Sequence, residues 1–115
     1  MTRIYDYYGS HEPDIKRVRD FIADLTGARF AYHESSYIGE YYVATEQSGE
    51  ELTVRSNNLE DEEGHFLQWP EYAEYSTIVF AKCNVPAGTR SVPYLASLRE
   101  KFSQTGELTF LGREE

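Results

Sequence analysis

A chain of 115 residues is long enough for one domain that buries about two-thirds of its unfolded surface around a single core. Its 11 basic and 20 acidic residues leave a net charge of −9, a field that repels nucleic acid and anionic lipid. The single cysteine, Cys83, excludes an intrachain disulfide, and no run of 18 apolar residues or apolar leader core is present, so a cytoplasmic protein without membrane insertion is expected.

In chain order, Arg3 to Tyr8 alternates, with Ile4, Asp6 and Tyr8 on one face and Tyr5 and Tyr7 on the other, which predicts a strand ending at Gly9. Ile15, Val18, Phe21, Ile22 and Leu25 then recur at helical spacing, with Pro13 at an early helical position and Gly27 as the stop. Arg29–Ser35, Gly39–Thr45 and Glu51–Ser56 read as three antiparallel strands in a meander, Leu52 and Val54 pointing inward and Thr53 and Arg55 outward. Tyr41 and Tyr42 are neighbours in one strand, so only one of them can be core. Tyr75–Lys82 is too continuously apolar for an edge and is placed centrally, and Cys83 after it reads as a packing thiol. Ser91 as N-cap opens a second helix to Gln104, with Tyr94, Leu95, Leu98 and Phe102 as its stripe, and Glu107–Leu111 supplies the last strand. The resulting order, β-α-β-β-β-β-α-β, predicts a single α+β domain: a mostly antiparallel sheet of five to six strands with both helices packed on one face.

Charge placement says more than its total. From Glu34 to Glu74 there are eleven carboxylates against Arg55 alone, so this third of the chain carries −10 and the remainder +1. Within it, Asn57 to Glu74 combines six acids and no Lys or Arg with Leu59, Phe66, Leu67, Trp69 and Tyr72. Carboxylates that steer and rings that anchor are what a surface gripping a basic partner requires. The candidate partner-binding residues are therefore Glu60, Asp61, Glu62, Glu63, Phe66, Trp69 and Tyr72, with Glu40, Tyr41 and Glu71 as neighbours. The plain alternatives are that the acids only keep the protein soluble and that Phe66 and Trp69 cover the open end of the sheet as core.

Catalytic and metal chemistry find less support. Glu60–Glu63 and His65 match neither a calcium loop nor a zinc spacing, and His11, His33 and His65 are scattered with no nucleophile elbow, phosphate loop, CxxC or HExxH. A binding protein without catalytic residues, metal or cofactor is expected. Its rival is a small-molecule-binding or catalytic domain using a tyrosine-lined pocket on the open sheet face, since ten tyrosines also suit such a site.

The pattern Ser35-Ser36-Tyr37-Ile38-Gly39-Glu40-Tyr41-Tyr42, then a turn, Asn57-Asn58, the acidic stretch, and Trp69-Pro70-Glu71-Tyr72 before an apolar strand, resembles the small acidic immunity proteins encoded beside bacterial polymorphic or contact-dependent toxins. The resemblance spans about residues 30 to 82, and Ile38 departs from it where a second glycine would fit. It implies a cytosolic antidote that binds a cognate toxin domain, often a basic nuclease, and occludes its active site. It implies no catalytic residue.

Overall fold

Period-two alternation in six segments produces a six-stranded, fully antiparallel sheet in the computed structural model, which describes residues 1–89 and 92–115. The elements are β1 (Thr2–Ser10), α1 (Ile15–Thr26), β2 (Ala31–Ser35), β3 (Gly39–Thr45), β4 (Glu51–Ser56), β5 (Asn58–Asp61), β6 (Gly64–Leu67), a 3-10 turn (Pro70–Tyr72), β7 (Thr77–Val85), α2 (Pro93–Ser103) and β8 (Thr109–Glu114). Strand order in the sheet is β2-β3-β4-β7-β1-β8, and β5 and β6 pair apart from it as a hairpin. The protein is thus α+β with the expected order of sheet strands and helices. The β5–β6 hairpin and the 3-10 turn are additions within the acidic segment, where no β-branched residue marks a strand. No helix among the described residues is long and apolar enough to cross a membrane.

Element ends differ from the sequence reading for local reasons. β1 runs past Gly9 because Gly9 and Ser10 stay in register with Ile78 and Thr77. Asp14, rather than Pro13, starts α1: its carboxylate accepts the Lys16 N–H at 2.9 Å, and Pro13 precedes the cap. Gly27 ends the helix at φ 76°, its N–H donating to Ala23 O at 2.8 Å. β8 continues to Glu114 because Arg113 and Glu114 pair with Asp6 and Tyr5 of β1. The expected N-cap Ser91 lies outside the described residues, and α2 starts at Pro93 after an extended Val92.

Both helices lie on one face. Rows of cross-strand partners run Tyr42, Val54, Val79, Tyr8 and Ala44, Leu52, Ala81, Asp6. Those apolar side chains, with Ile4 and Cys83, form one core with Val18 and Ile22 of α1 and Leu95, Leu98 and Phe102 of α2. Full burial of each large aliphatic or aromatic side chain contributes about 1.5–3 kcal/mol. Tyr42 is the core member of the Tyr41–Tyr42 pair, and Arg19 of α1 lies over its ring at 4.5 Å. Tyr8 meets Phe102 edge-on at 4.8 Å. Parity assigns the other face Tyr5, Tyr7, Tyr41, Arg55 and Phe80, which no helix covers.

One acid interrupts the core. Asp6 is fully buried in the row of Ala44, Leu52 and Ala81, and is held by Arg113 Nε at 2.6 Å, Arg113 Nη2 at 3.0 Å and Arg99 Nη2 at 3.2 Å. These contacts join the second strand-end and α2 to β1 across most of the chain. The hydrogen bond to Asp6 also raises the Arg113 pKa. Because the Arg99 and Arg113 side chains stay 44% and 32% exposed, either can rehydrate when Asp6 is neutralised, whereas Asp6 cannot. Asp6→Asn should therefore cost about 1–2 kcal/mol, and the double change Arg99→Ala, Arg113→Ala about 3–5 kcal/mol, by urea denaturation. Equal losses would refute this asymmetry.

Burial also shifts the neighbouring acids of this core. Tyr8, whose hydroxyl finds no hydrogen-bond partner among the described residues, is pushed up to about 12 by burial and then by Asp6. Cys83 is pushed up to about 11 by burial, then by Glu50 and Asp6. In this alkaline range the unfolded chain loses protons that the native state keeps, so stability is full below the ordinary thiol and phenol values and falls as pH rises through the shifted ones. The urea midpoint should hold from pH 7 to about 9 and then fall to about pH 12, less steeply in Tyr8→Phe. At neutral pH that variant should be unchanged or up to about 1 kcal/mol more stable, because an unbonded buried hydroxyl is removed.

Candidate functional site

Between Ser56 and Thr77, which face each other as register partners on β4 and β7, the chain leaves the sheet and returns. Asn57 makes this possible. It is completely buried, its backbone N–H donating to Ser76 O at 2.8 Å and its carbonyl accepting from Gln68 N–H at 2.9 Å. Its side-chain amide is shared among the carbonyls of Trp69 (3.2 Å), Tyr72 (3.1 Å) and Tyr75 (3.1 Å), while Oδ1 accepts the Trp69 N–H at 2.7 Å. One side chain thereby occupies the backbone groups that the 3-10 turn leaves unpaired.

Outward of Asn57 stands the β5–β6 hairpin. Gly64, at φ 121°, allows its turn, and Glu63 N–H donates to Asp61 Oδ1 at 2.8 Å. His65 Nε2 lies 3.0 Å from Asn58 Oδ1 and ties the two strands together. Leu59 turns inward and is only 8% exposed, Phe66 is 38% exposed, and Glu60, Asp61, Glu62 and Glu63 are all exposed around the tip. A groove of about 340 Å³ separates the base of the hairpin from the β2–β3 turn, lined by Tyr37, Ile38, Glu40, Leu59 and Glu60 together with Ile15. Glu40 and Glu34 share the Tyr32 hydroxyl, at 3.2 and 2.9 Å, and these contacts, Glu34 foremost, push that phenol up to about 12.

Inward of Asn57, the rings turn back onto the open face of the sheet. Trp69 is half-buried, edge-on to Phe80 at 6.0 Å and to Tyr7 at 6.2 Å, and its own face receives Arg55 at 5.0 Å. Tyr72 packs on Tyr7 at 6.5 Å. Tyr75 lies flat on Gly9, where a Cβ would come within 2.4 Å of its ring, and stacks on His11 at 4.8 Å. Tyr41 belongs to this face too, stacked on His33 at 5.2 Å, so it points away from its neighbour Glu40.

The structure thus groups Glu40 and Glu60 at one groove, with Asp61, Glu62, Glu63 and Phe66 on the adjoining hairpin. It sets Tyr41, Trp69 and Tyr72 on a second surface, and leaves Glu71 exposed on the 3-10 turn between them. The expectation of a single patch is corrected accordingly: one segment holds both residue classes, but Asn57 sends the carboxylates out and the rings in. Among the described residues none of Glu34, Glu40, Glu60, Asp61, Glu62, Glu63, Glu71 or Glu74 forms a salt bridge. No three His, Cys, Asp or Glu side chains converge as metal ligands among them. Asn57 and Arg55 were missing from the residues singled out in the sequence; the outward parity of Arg55 is the signal that could have found it, and Asn57 has none. No protein-family model and no curated protein matches this sequence.

Asn57→Ala removes four side-chain hydrogen bonds and leaves buried carbonyls unpaired, so it should cost about 2–4 kcal/mol in urea denaturation and expose Trp69, seen as a red-shifted emission. Asn57→Asp should be worse than Asn57→Ala, since it sets a carboxylate among three carbonyl oxygens. A silent Asn57→Ala would remove this residue from its central role.

Proposed function

We propose that this chain is an immunity-type protein that binds a cognate, basic bacterial toxin domain in the cytoplasm and neutralises it by covering its active site. The observation that carries the reading is the set of carboxylates at one end of the molecule, Glu60 to Glu63 on the hairpin and Glu40 across the groove, with no cation paired to them among the described residues. Uncompensated like charges work against the fold, and contact with a cationic surface relieves that repulsion. Exposed Phe66 supplies an anchor beside them, and Tyr37, 86% exposed at the β2–β3 turn, a second. Trp69 and Tyr72 contribute by fixing the base of the hairpin, with Tyr41 and Glu71 at its margin. The resemblance of residues 30 to 82 to immunity proteins points the same way.

Such a surface acts chiefly on encounter. Opposite potentials raise association rates by about 10–10³ at low ionic strength, and salt screens the effect. Replacing Glu60, Asp61, Glu62 and Glu63 by Lys should slow association with the toxin domain encoded by the adjoining reading frame at least ~10-fold at low salt. Dissociation should change less, and thermal stability should be retained, as all four side chains are exposed. Surface plasmon resonance of the purified pair checks this. Absence of binding by the unmodified protein, or an unchanged association rate in the variant, would defeat the reading.

A further inference from the structure

The open sheet face carries a cation that the acidic surface does not use. Arg55 is half-buried on β4, stacked on Trp69, and takes part in none of the ion pairs among the described residues. Burial lowers its pKa, and the groups that offset this are Tyr41 and Tyr7 rather than any carboxylate. In a chain with 20 acids, a desolvated guanidinium without one is an unfilled position.

Arg55 borders a groove of about 400 Å³ that follows β4. Its floor is Thr53. The stacked Tyr41 and His33 of β3 and β2 form one wall, and Phe80 and Tyr5 of β7 and β1, edge-on at 6.1 Å, form the other. The far end holds Lys82 and Glu51, which neutralise each other in a salt bridge. Arg55 and Glu51 are four residues apart on one strand, so the groove is about 13 Å long, the span of two or three fused rings. This size lies at the lower end for small-molecule sites, about 300–1,000 Å³.

We propose that this groove binds a flat aromatic molecule carrying one anionic group, with the anion on Arg55 and the ring system between Tyr41 and Phe80. A guanidinium held against an indole is already oriented and partly desolvated, so it accepts a carboxylate, sulfonate or phosphate in a bidentate fashion at little further ordering cost. The walls present ring faces and edges to a planar body. A cationic ligand, which suits the hairpin, meets an unfavourable charge here. The site is therefore separate from the surface under Proposed function and stands or falls without it.

The probe is 2-naphthoate, titrated into the full chain and followed by amide and indole NMR. Trp69 is the only tryptophan, so its indole N–H is an unambiguous reporter beside Arg55. The expected result is saturable shifts at Trp69, Arg55, Tyr41 and Thr53. Arg55→Gln should weaken binding at least ~10-fold and Arg55→Lys less, because Lys keeps the charge but not the fork. On the unmodified protein, neutral 2-naphthylmethanol should bind at least ~10-fold more weakly than the naphthoate, a comparison that needs no variant to fold. The proposal is overturned by a naphthoate Kd weaker than about 10 mM, by equal affinity for the acid and the alcohol, or by unaltered affinity in a folded Arg55→Gln protein.

Discussion

The amide of Asn57 is the contact on which the rest of this surface depends. Net, a neutral hydrogen bond contributes only about 0.5–1.5 kcal/mol, but three buried carbonyls and one N–H without partners would each cost about 1–3 kcal/mol. Asn57 meets all four at once. Its position is equally telling, immediately after β4 and beside the first residues of β7, so the same residue that ends one strand gathers the return to the next. Nineteen residues separate Asn57 from Ser76, and its two backbone hydrogen bonds and its side chain define where that excursion begins, where the hairpin closes and where the 3-10 turn sits.

From that point the two sides of the sheet diverge. On the helix side the strands present an apolar carpet broken by a single carboxylate, Asp6, which two arginines from opposite ends of the C-terminal third converge upon. Pairing a buried acid with solvent-reaching arginines adds little net stability but penalises any other seating of α2 and β8, because a misplaced segment would strand the charge. On the other side, Trp69, Tyr72 and Tyr75 do part of what a third helix would do. They cover Tyr7, Phe80 and the bare backbone of Gly9, and leave the strip along β4 uncovered.

Elements dominated by periodicity were legible in the sequence. The stripe of α1 buries Val18 and Ile22, the meander over β2, β3 and β4 has the expected neighbours, and β7 lies between β4 and β1 as its continuous apolar character required. Parity correctly divided Tyr41 from Tyr42 and Tyr5 from Tyr8. What stayed hidden involves contacts without period. Asp6 meets Arg113 at a sequence distance of 107 residues, and nothing in the local pattern at either end marks the pair. The β5–β6 hairpin was unreadable because its strands are four residues each and carry mostly exposed polar groups. Proximity in sequence also misled: acids and rings within Asn57–Glu74 occupy different surfaces, because the direction of Trp69 is set by its N–H bond to Asn57 and by the space that Gly9 leaves for Tyr75.

Ser56 and Thr77 are already hydrogen-bonded neighbours in adjacent strands before the excursion is considered. The six-stranded scaffold is therefore topologically complete without residues 57–76, in the way that a ring is complete without its stone. Changes of length or composition in the outer part of the setting, from Asn58 to Leu67, leave strand order, parity and the helix-side core untouched so long as the clasp at Asn57 still closes. A chain built this way can exchange its recognition chemistry at small structural cost, which is the property demanded of any protein that must keep pace with a changing opponent.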